Sequence, residues 1–171
     1  MMWRSLIMAM TGLLIALSSS CPAEEAEFRE VRWGMTKIEV MAVEGLNPES
    51  FAGPTITYRT LLLGKEMYLI YEFVDNKLVD AMYVFLVKDK TDYSEVVGVL
   101  KKKYGAPLSE KEKDVADYYF KWQTPLTEIE MKPGKGNACQ LLYTSLKLKS
   151  YVLKEEKKRA IQKEKEILRQ F

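Results

Sequence analysis

The chain contains no histidine, and that absence removes the commonest general base, the commonest metal ligand and the customary partner of a serine or cysteine nucleophile. Cysteine is almost as scarce, with only Cys21 and Cys139 among 171 residues. Cys21 lies at what reads as a processing boundary, so a processed chain leaves Cys139 without an intrachain partner and excludes a disulfide scaffold. Cys139 sits in a strand-like run and reads as a small buried hydrophobe. A thiol nucleophile needs an activating cation beside it, and none stands near Cys139 in sequence. There is no excess of either charge: 26 Lys+Arg stand against 24 Asp+Glu, a net charge of +2. A near-neutral chain is a poor match for a nucleic-acid binder, whose footprint is a basic face. The longest uncharged apolar run, Leu6 to Leu17, falls short of the roughly 20 residues that cross a bilayer.

That run has a different meaning at the start of a chain. Arg4 precedes it, the small residues Ser18-Ser19-Ser20-Cys21-Pro22-Ala23 follow it, and acidic residues begin at Glu24. This is the order of a secretory signal, so residues 1–23 are expected to direct export to the periplasm or the bacterial envelope. Two processing routes are open. In the first, Cys21 is lipidated: Ser19 and Ser20 meet the small-residue requirement before it, whereas Ser18 stands where such signals usually carry Leu. In the second, an ordinary signal peptidase cuts after Ala23.

Residues 24–146 are expected to form one α+β domain. Thr36 and Glu39 make a capping box for a short helix that Gly45 ends. Before it, Glu27 to Trp33 reads as a strand, and after it Leu46 to Pro54 reads as a loop. Strands are expected over Ile56–Leu63, Met67–Val74 and Leu78–Val87, joined by turns at Gly64-Lys65 and Asp75-Asn76-Lys77. A second helix is expected to start at Asp92-Tyr93-Ser94-Glu95, with Tyr93, Val96, Val97, Leu100 and Tyr104 on its apolar face. Gly105 and Pro107 then stop it, and strands follow over Val115–Gln123, Thr127–Lys132 and Asn137–Leu146. Read this way, the domain is a tandem strand-helix-three-strand duplication, about residues 27–90 and 91–146, with helices on one face of an antiparallel sheet. Residues 147–171 hold nine Lys/Arg and four Glu and are expected to form a charged helical tail of net +5. Residues 24–146 are then net −4.

Period-two reading assigns the sheet faces. Leu69, Tyr71, Phe73, Val79, Ala81, Tyr83, Phe85, Tyr118, Phe120, Trp122, Ile129, Met131, Leu141 and Tyr143 are expected toward the helices. The other face then shows Arg59, Glu72, Asp80, Asp117, Lys121, Glu128 and Glu130 around Tyr68, Ile70, Met82, Val84, Tyr119 and Leu142. Aromatic and aliphatic groups ringed by charge have the composition of a partner-binding patch. The alternatives are a second sheet packed on this face, or the tail folded over it.

Gly34-Met35-Thr36 followed by Val40, within the string Trp33-Gly34-Met35-Thr36-Lys37-Ile38-Glu39-Val40, resembles the G-M-T/S-x-x-x-V helix start of small outer-membrane-assembly lipoproteins of the SmpA/OmlA type and of β-lactamase-inhibitor-protein-like repeats. It is also similar to uncharacterised exported bacterial proteins that pair such an opening with a later L-x-x-K-Y-G-x-P, here Leu100 to Pro107. The pattern departs after the first helix, where Glu44-Gly45-Leu46-Asn47 lacks the expected Gly-x-Pro. The resemblance implies a non-enzymatic protein-binding module.

Catalytic chemistry finds little footing. Glu128 and Glu130 share a strand face as paired carboxylates of a hydrolase would, but beside Lys132 they read as a solvated edge with charge relief. The Gly-rich stretch Lys132 to Asn137 lacks the spacing of a phosphate loop and reads as a hairpin turn. Asp75 and Asn76 lack the further oxygens of a calcium loop. The sequence therefore predicts no cofactor, no metal and no catalytic residue. The expected partner is a protein or peptide of the envelope. Nucleic acid is not expected, and the membrane enters only through a lipid on Cys21 or through the basic tail.

Overall fold

The computed structural model describes residues 27–170. Residues 1–23, with Cys21, lie outside them. Three helices and eight strands follow in the order α1 (Lys37–Glu44), β1 (Ser50–Ala52), β2 (Thr55–Leu62), β3 (Lys65–Val74), β4 (Lys77–Leu86), α2 (Lys90–Tyr104), β5 (Ser109–Asp114), β6 (Asp117–Gln123), β7 (Thr127–Pro133), β8 (Ala138–Ser145) and α3 (Leu146–Leu168). The strands make one open antiparallel sheet ordered β1-β2-β3-β4-β8-β7-β6-β5. The chain is thus α+β, and its two four-strand runs meet where β4 pairs with β8.

Local chemistry sets the element ends. Thr36 caps α1 with the reciprocal Thr36–Glu39 capping box, and Gly45 ends it at φ +62°, a left-handed position suited to glycine. The second helix starts three residues earlier than the Asp92 box predicts. Asp89 is its N-cap, accepting from the Thr91 N–H at 2.8 Å, and Asp92 instead receives Lys65 Nζ at 2.7 Å and the Lys88 N–H at 2.8 Å. Asp is a good cap at either place, and the partner Lys65, far away in sequence, decides between them.

The β2–β3 and β3–β4 hairpin turns are two residues long. Leu63-Gly64 and Asp75-Asn76 all have positive φ, as a turn matching the twist of the strands requires. The first turn is therefore shifted by one residue from the expected Gly64-Lys65, with Leu62 opposite Lys65.

Three further expectations are corrected. Glu27 to Trp33 is a tight turn closed by the single Phe28–Val31 bridge and not a strand. The loop from Leu46 contains the short edge strand β1. α1 and α2 are each followed by four strands, since Ser109–Asp114 is the outer edge strand β5. Its sequence, Ser-Glu-Lys-Glu-Lys-Asp, is exposed throughout and has no apolar alternation to betray it. Alternating charge is a common way to keep an edge from pairing with other chains.

One face of the sheet carries the core. All fourteen residues expected toward the helices are buried, and most join Val40 of α1 and Tyr93, Val96, Val97 and Leu100 of α2 in a single cluster. Phe28 packs into it, with its ring 5.9 Å from Tyr71, 5.6 Å from Tyr83 and 4.6 Å from Tyr143. Trp122 is buried against Phe120 and donates its indole N–H to the Gly105 carbonyl at 3.0 Å. That bond satisfies the polar atom such a burial would otherwise strand.

Beneath the first helix lies a polar network. Glu44, whose side chain is 2% exposed, pairs with Arg29 at 3.0 Å and accepts from the Tyr71 hydroxyl, and Arg29 also donates to the Tyr83 hydroxyl at 3.2 Å.

Candidate functional site: the open sheet face

The sheet's other face is open over most of its area, and the strand register places its side chains in rows. Ile70 on β3 stands opposite Met82 on β4, which stands opposite Leu142 on β8. In the adjacent row Tyr68 faces Val84, and Val84 faces Gln140. Five of the six predicted binding residues therefore form one contiguous patch across three neighbouring strands. Tyr68 is the most exposed of them at 43%, while Ile70, Met82, Val84 and Leu142 are half-buried by their neighbours.

Tyr119 is not part of this patch. It lies on β6, beyond β7, and donates to Glu130 Oε1 at 2.6 Å. Burial and that hydrogen bond push its phenol up to about 12. It belongs to a charged half-face in which Lys121 Nζ bridges Glu128 at 2.7 Å and Glu130 at 3.4 Å, with Lys132 3.5 Å from Glu130.

The two carboxylates are on an interior strand, not on a solvated edge, because β7 is paired on both sides. Hydrogen bonds from Lys121 and Lys149 hold the Glu128 carboxyl below its usual range. Burial raises Glu130, but Tyr119, Lys132 and Lys121 outweigh it and leave that carboxyl low as well. Both groups are held ionised and neutralised by a shared lysine, which is the wrong arrangement for a proton donor. Burial pushes the Cys139 thiol up to about 12, so it stays a thiol. Among the described residues no cluster of three or more Cys, Asp or Glu is arranged to hold a metal ion.

The apolar patch is bounded at both ends of the strands. At one end a shallow depression of about 510 Å³ is lined by Arg59, Glu66, Tyr68, Val84, Leu86 and Lys88 among others. Arg59 lies over the Tyr68 ring at 5.5 Å and is itself held by Glu49 at 2.8 Å. Leu86, 72% exposed, extends the patch and was missed by the sequence reading, although it continues the Met82-Val84 alternation of β4.

At the other end α3 begins. Lys149 reaches Glu128 at 2.8 Å, Tyr151 donates to Asp75, and Lys77 stands over the Tyr151 ring at 5.1 Å. Leu148, Tyr151, Val152 and Glu155 are half-buried, and every described residue from 156 onward is exposed. The tail thus docks by its first turns, keeps a further exposed ion pair from Arg159 to Asp75 at 3.5 Å, and projects beyond it without covering the patch. Among the described residues no helix is long and apolar enough to cross a membrane.

No protein-family model, curated protein or solved structure matches this chain.

Proposed function

We propose that the protein is an exported, non-catalytic module of the bacterial periplasm or envelope that binds a protein or peptide on its open sheet face. The observation that carries this reading is the patch of Tyr68, Ile70, Met82, Val84 and Leu142, continuous over β3, β4 and β8 and left uncovered by α3. An apolar surface set in a charged rim favours association, because covering it removes apolar area from water while the rim keeps its solvation.

The absence of histidine, the ionised state of Glu128 and Glu130 and the inert Cys139 all count against the hydrolase alternative. Export rests on the signal-like residues 1–23, with Cys21 as the residue that would carry a lipid.

The reading extends to a tandem duplication of one helix followed by four strands. Two features support it: the order α1-β1-β2-β3-β4 is repeated as α2-β5-β6-β7-β8, and the sheet order runs outward symmetrically from β4 and β8. This arrangement is in keeping with the resemblance to SmpA/OmlA-type and β-lactamase-inhibitor-protein-like repeats. Such a duplication puts the patch across the junction of the two halves, where β4 and β8 are covered by neither edge.

A Met82→Glu substitution places a charge at the centre of the patch, where any partner has to desolvate it. It is expected to abolish retention of the partner in pull-downs while leaving the fold's melting curve close to the parent's. Retained binding would refute the assignment of the face.

A further inference from the structure

We propose that the occupant of the open face is α3 of a second copy of this chain, in a reciprocal two-fold dimer. The proposal rests on the reading of that face as a protein-binding surface.

The helix has two apolar sides. Leu148, Tyr151 and Val152 are half-buried against the chain's own body, near Asp75 and Lys77. At about 100° per residue, Leu153, Ala160, Ile161, Ile167 and Leu168 fall in a stripe on roughly the opposite side. These five are exposed, Leu153 at 59%, Ile161 at 43%, Ile167 at 47% and Leu168 at 67%, and the stripe is interrupted by Lys157 and Glu164. The stripe cannot turn onto its own sheet without breaking the contacts of Lys149 with Glu128, at 2.8 Å, and of Arg159 with Asp75, at 3.5 Å. A helix that docks by one side and displays a second apolar side is built to touch something else.

Charge and length fit the open face of another copy. Beside the stripe stand Lys154 and Lys165, neither of them in an ion pair among the described residues. The open face offers Glu72 next to the row Ile70–Met82–Leu142 and Glu66 on the far side of Tyr68, both exposed and without an ion pair among the described residues. The body and the tail carry opposite net charge. Residues 153–168 extend about 24 Å at 1.5 Å per residue, which spans about five strands at roughly 4.8 Å each. That is the width from β2 through β3, β4 and β8 to β7. Each copy supplies one helix and one face, so two copies satisfy both and the assembly closes.

The test is the mass of the full chain in solution, by light scattering and sedimentation. The parent, processed to remove residues 1–23, is expected at twice the mass of its own monomer, with dissociation favoured by salt as the charges are screened. Ile161→Glu with Ile167→Glu on the helix should weaken the dimer at least about tenfold, as should Met82→Glu on the face, since each buries an unpaired charge. Mixing these two monomeric variants should restore a dimer, because one intact helix then meets one intact face. If Met82→Glu fails to fold, Tyr68→Glu, at a more exposed position, replaces it. A parent chain that stays monomeric to roughly 100 μM, weaker than most specific pairs, would overturn the proposal, as would a dimer indifferent to the helix variant. A monomer whose open face still crosslinks to a different envelope protein would end self-pairing and leave the binding face standing. Absence of any adduct from that face would end both.

Discussion

The Trp33 indole N–H donates to the Thr127 hydroxyl at 2.8 Å, joining residues ninety-four positions apart in the chain. Thr127 is 2% exposed and opens β7, so this bond ties the turn before the first helix to the far half of the sheet. A buried hydroxyl that loses its partner costs about 1–3 kcal/mol. Trp33→Phe should therefore lower the unfolding free energy by about 1–2 kcal/mol in urea titrations. Combining it with Thr127→Val should cost less than the two changes added together. Strict additivity would mean that the two groups do not interact.

Glu44 carries a heavier role, because its side chain is 2% exposed while serving Arg29 and the Tyr71 hydroxyl together. Removing one partner of a buried ion pair typically costs about 3–5 kcal/mol. The Arg29 side chain keeps 33% exposure, which relieves part of the stranded charge and places Glu44→Ala near the low end, about 3 kcal/mol. Glu44→Gln keeps an acceptor for Tyr71 and should cost less. Equal losses for the two substitutions would show that the charge, not the hydrogen bonding, carries the effect.

Asp80 gives a pH signature of the opposite kind to a salt-bridged acid. Burial raises its carboxyl, and the neighbouring Glu72 and Glu156 add to the rise against the opposing Thr144 and Lys149. The folded state therefore holds this proton more tightly than the unfolded state does. That contribution favours folding at low pH and fades as pH rises through the elevated folded value. Asp80→Asn should accordingly stabilise the protein at pH 7, and its advantage should shrink as pH falls toward the ordinary carboxylate range, about 3.9. Melting curves across that range check it, and a gain independent of pH would contradict the assignment.

Cys21 divides the two processing routes. A lipidated Cys21 should take up labelled palmitate and hold the protein on membranes, and Cys21→Ala should release it. An unlabelled, freely soluble parent beginning at Glu24 would exclude the anchor.

Much of this architecture was legible because each face of a strand repeats every second residue. That period placed Tyr71, Ala81, Tyr143 and Ile129 on the buried side before any register was known, and Ile70, Met82 and Leu142 on the other. What escaped was set by contacts distant in sequence. Asp89 and Asp92 are equivalent caps until Lys65 claims one of them. The strand β5 has no apolar face to announce it, and its edge position follows only from pairing with β6. Tyr119 shares the open face by parity, yet strand order puts Glu130 between it and Leu142. Parity gives the side of the sheet and says nothing of which strands are neighbours.

If the patch around Met82 is a contact surface in the living envelope, site-directed photo-crosslinking reads it in place. A photoreactive side chain at Tyr68 or Leu142, on the patch, is compared with one at Ile38, an exposed residue of α1 that is 78% accessible. Discrete protein adducts are expected from Tyr68 and Leu142, lost when Met82→Glu is added, and none from Ile38. Adducts of equal yield from all three positions, or none from the patch, would contradict it.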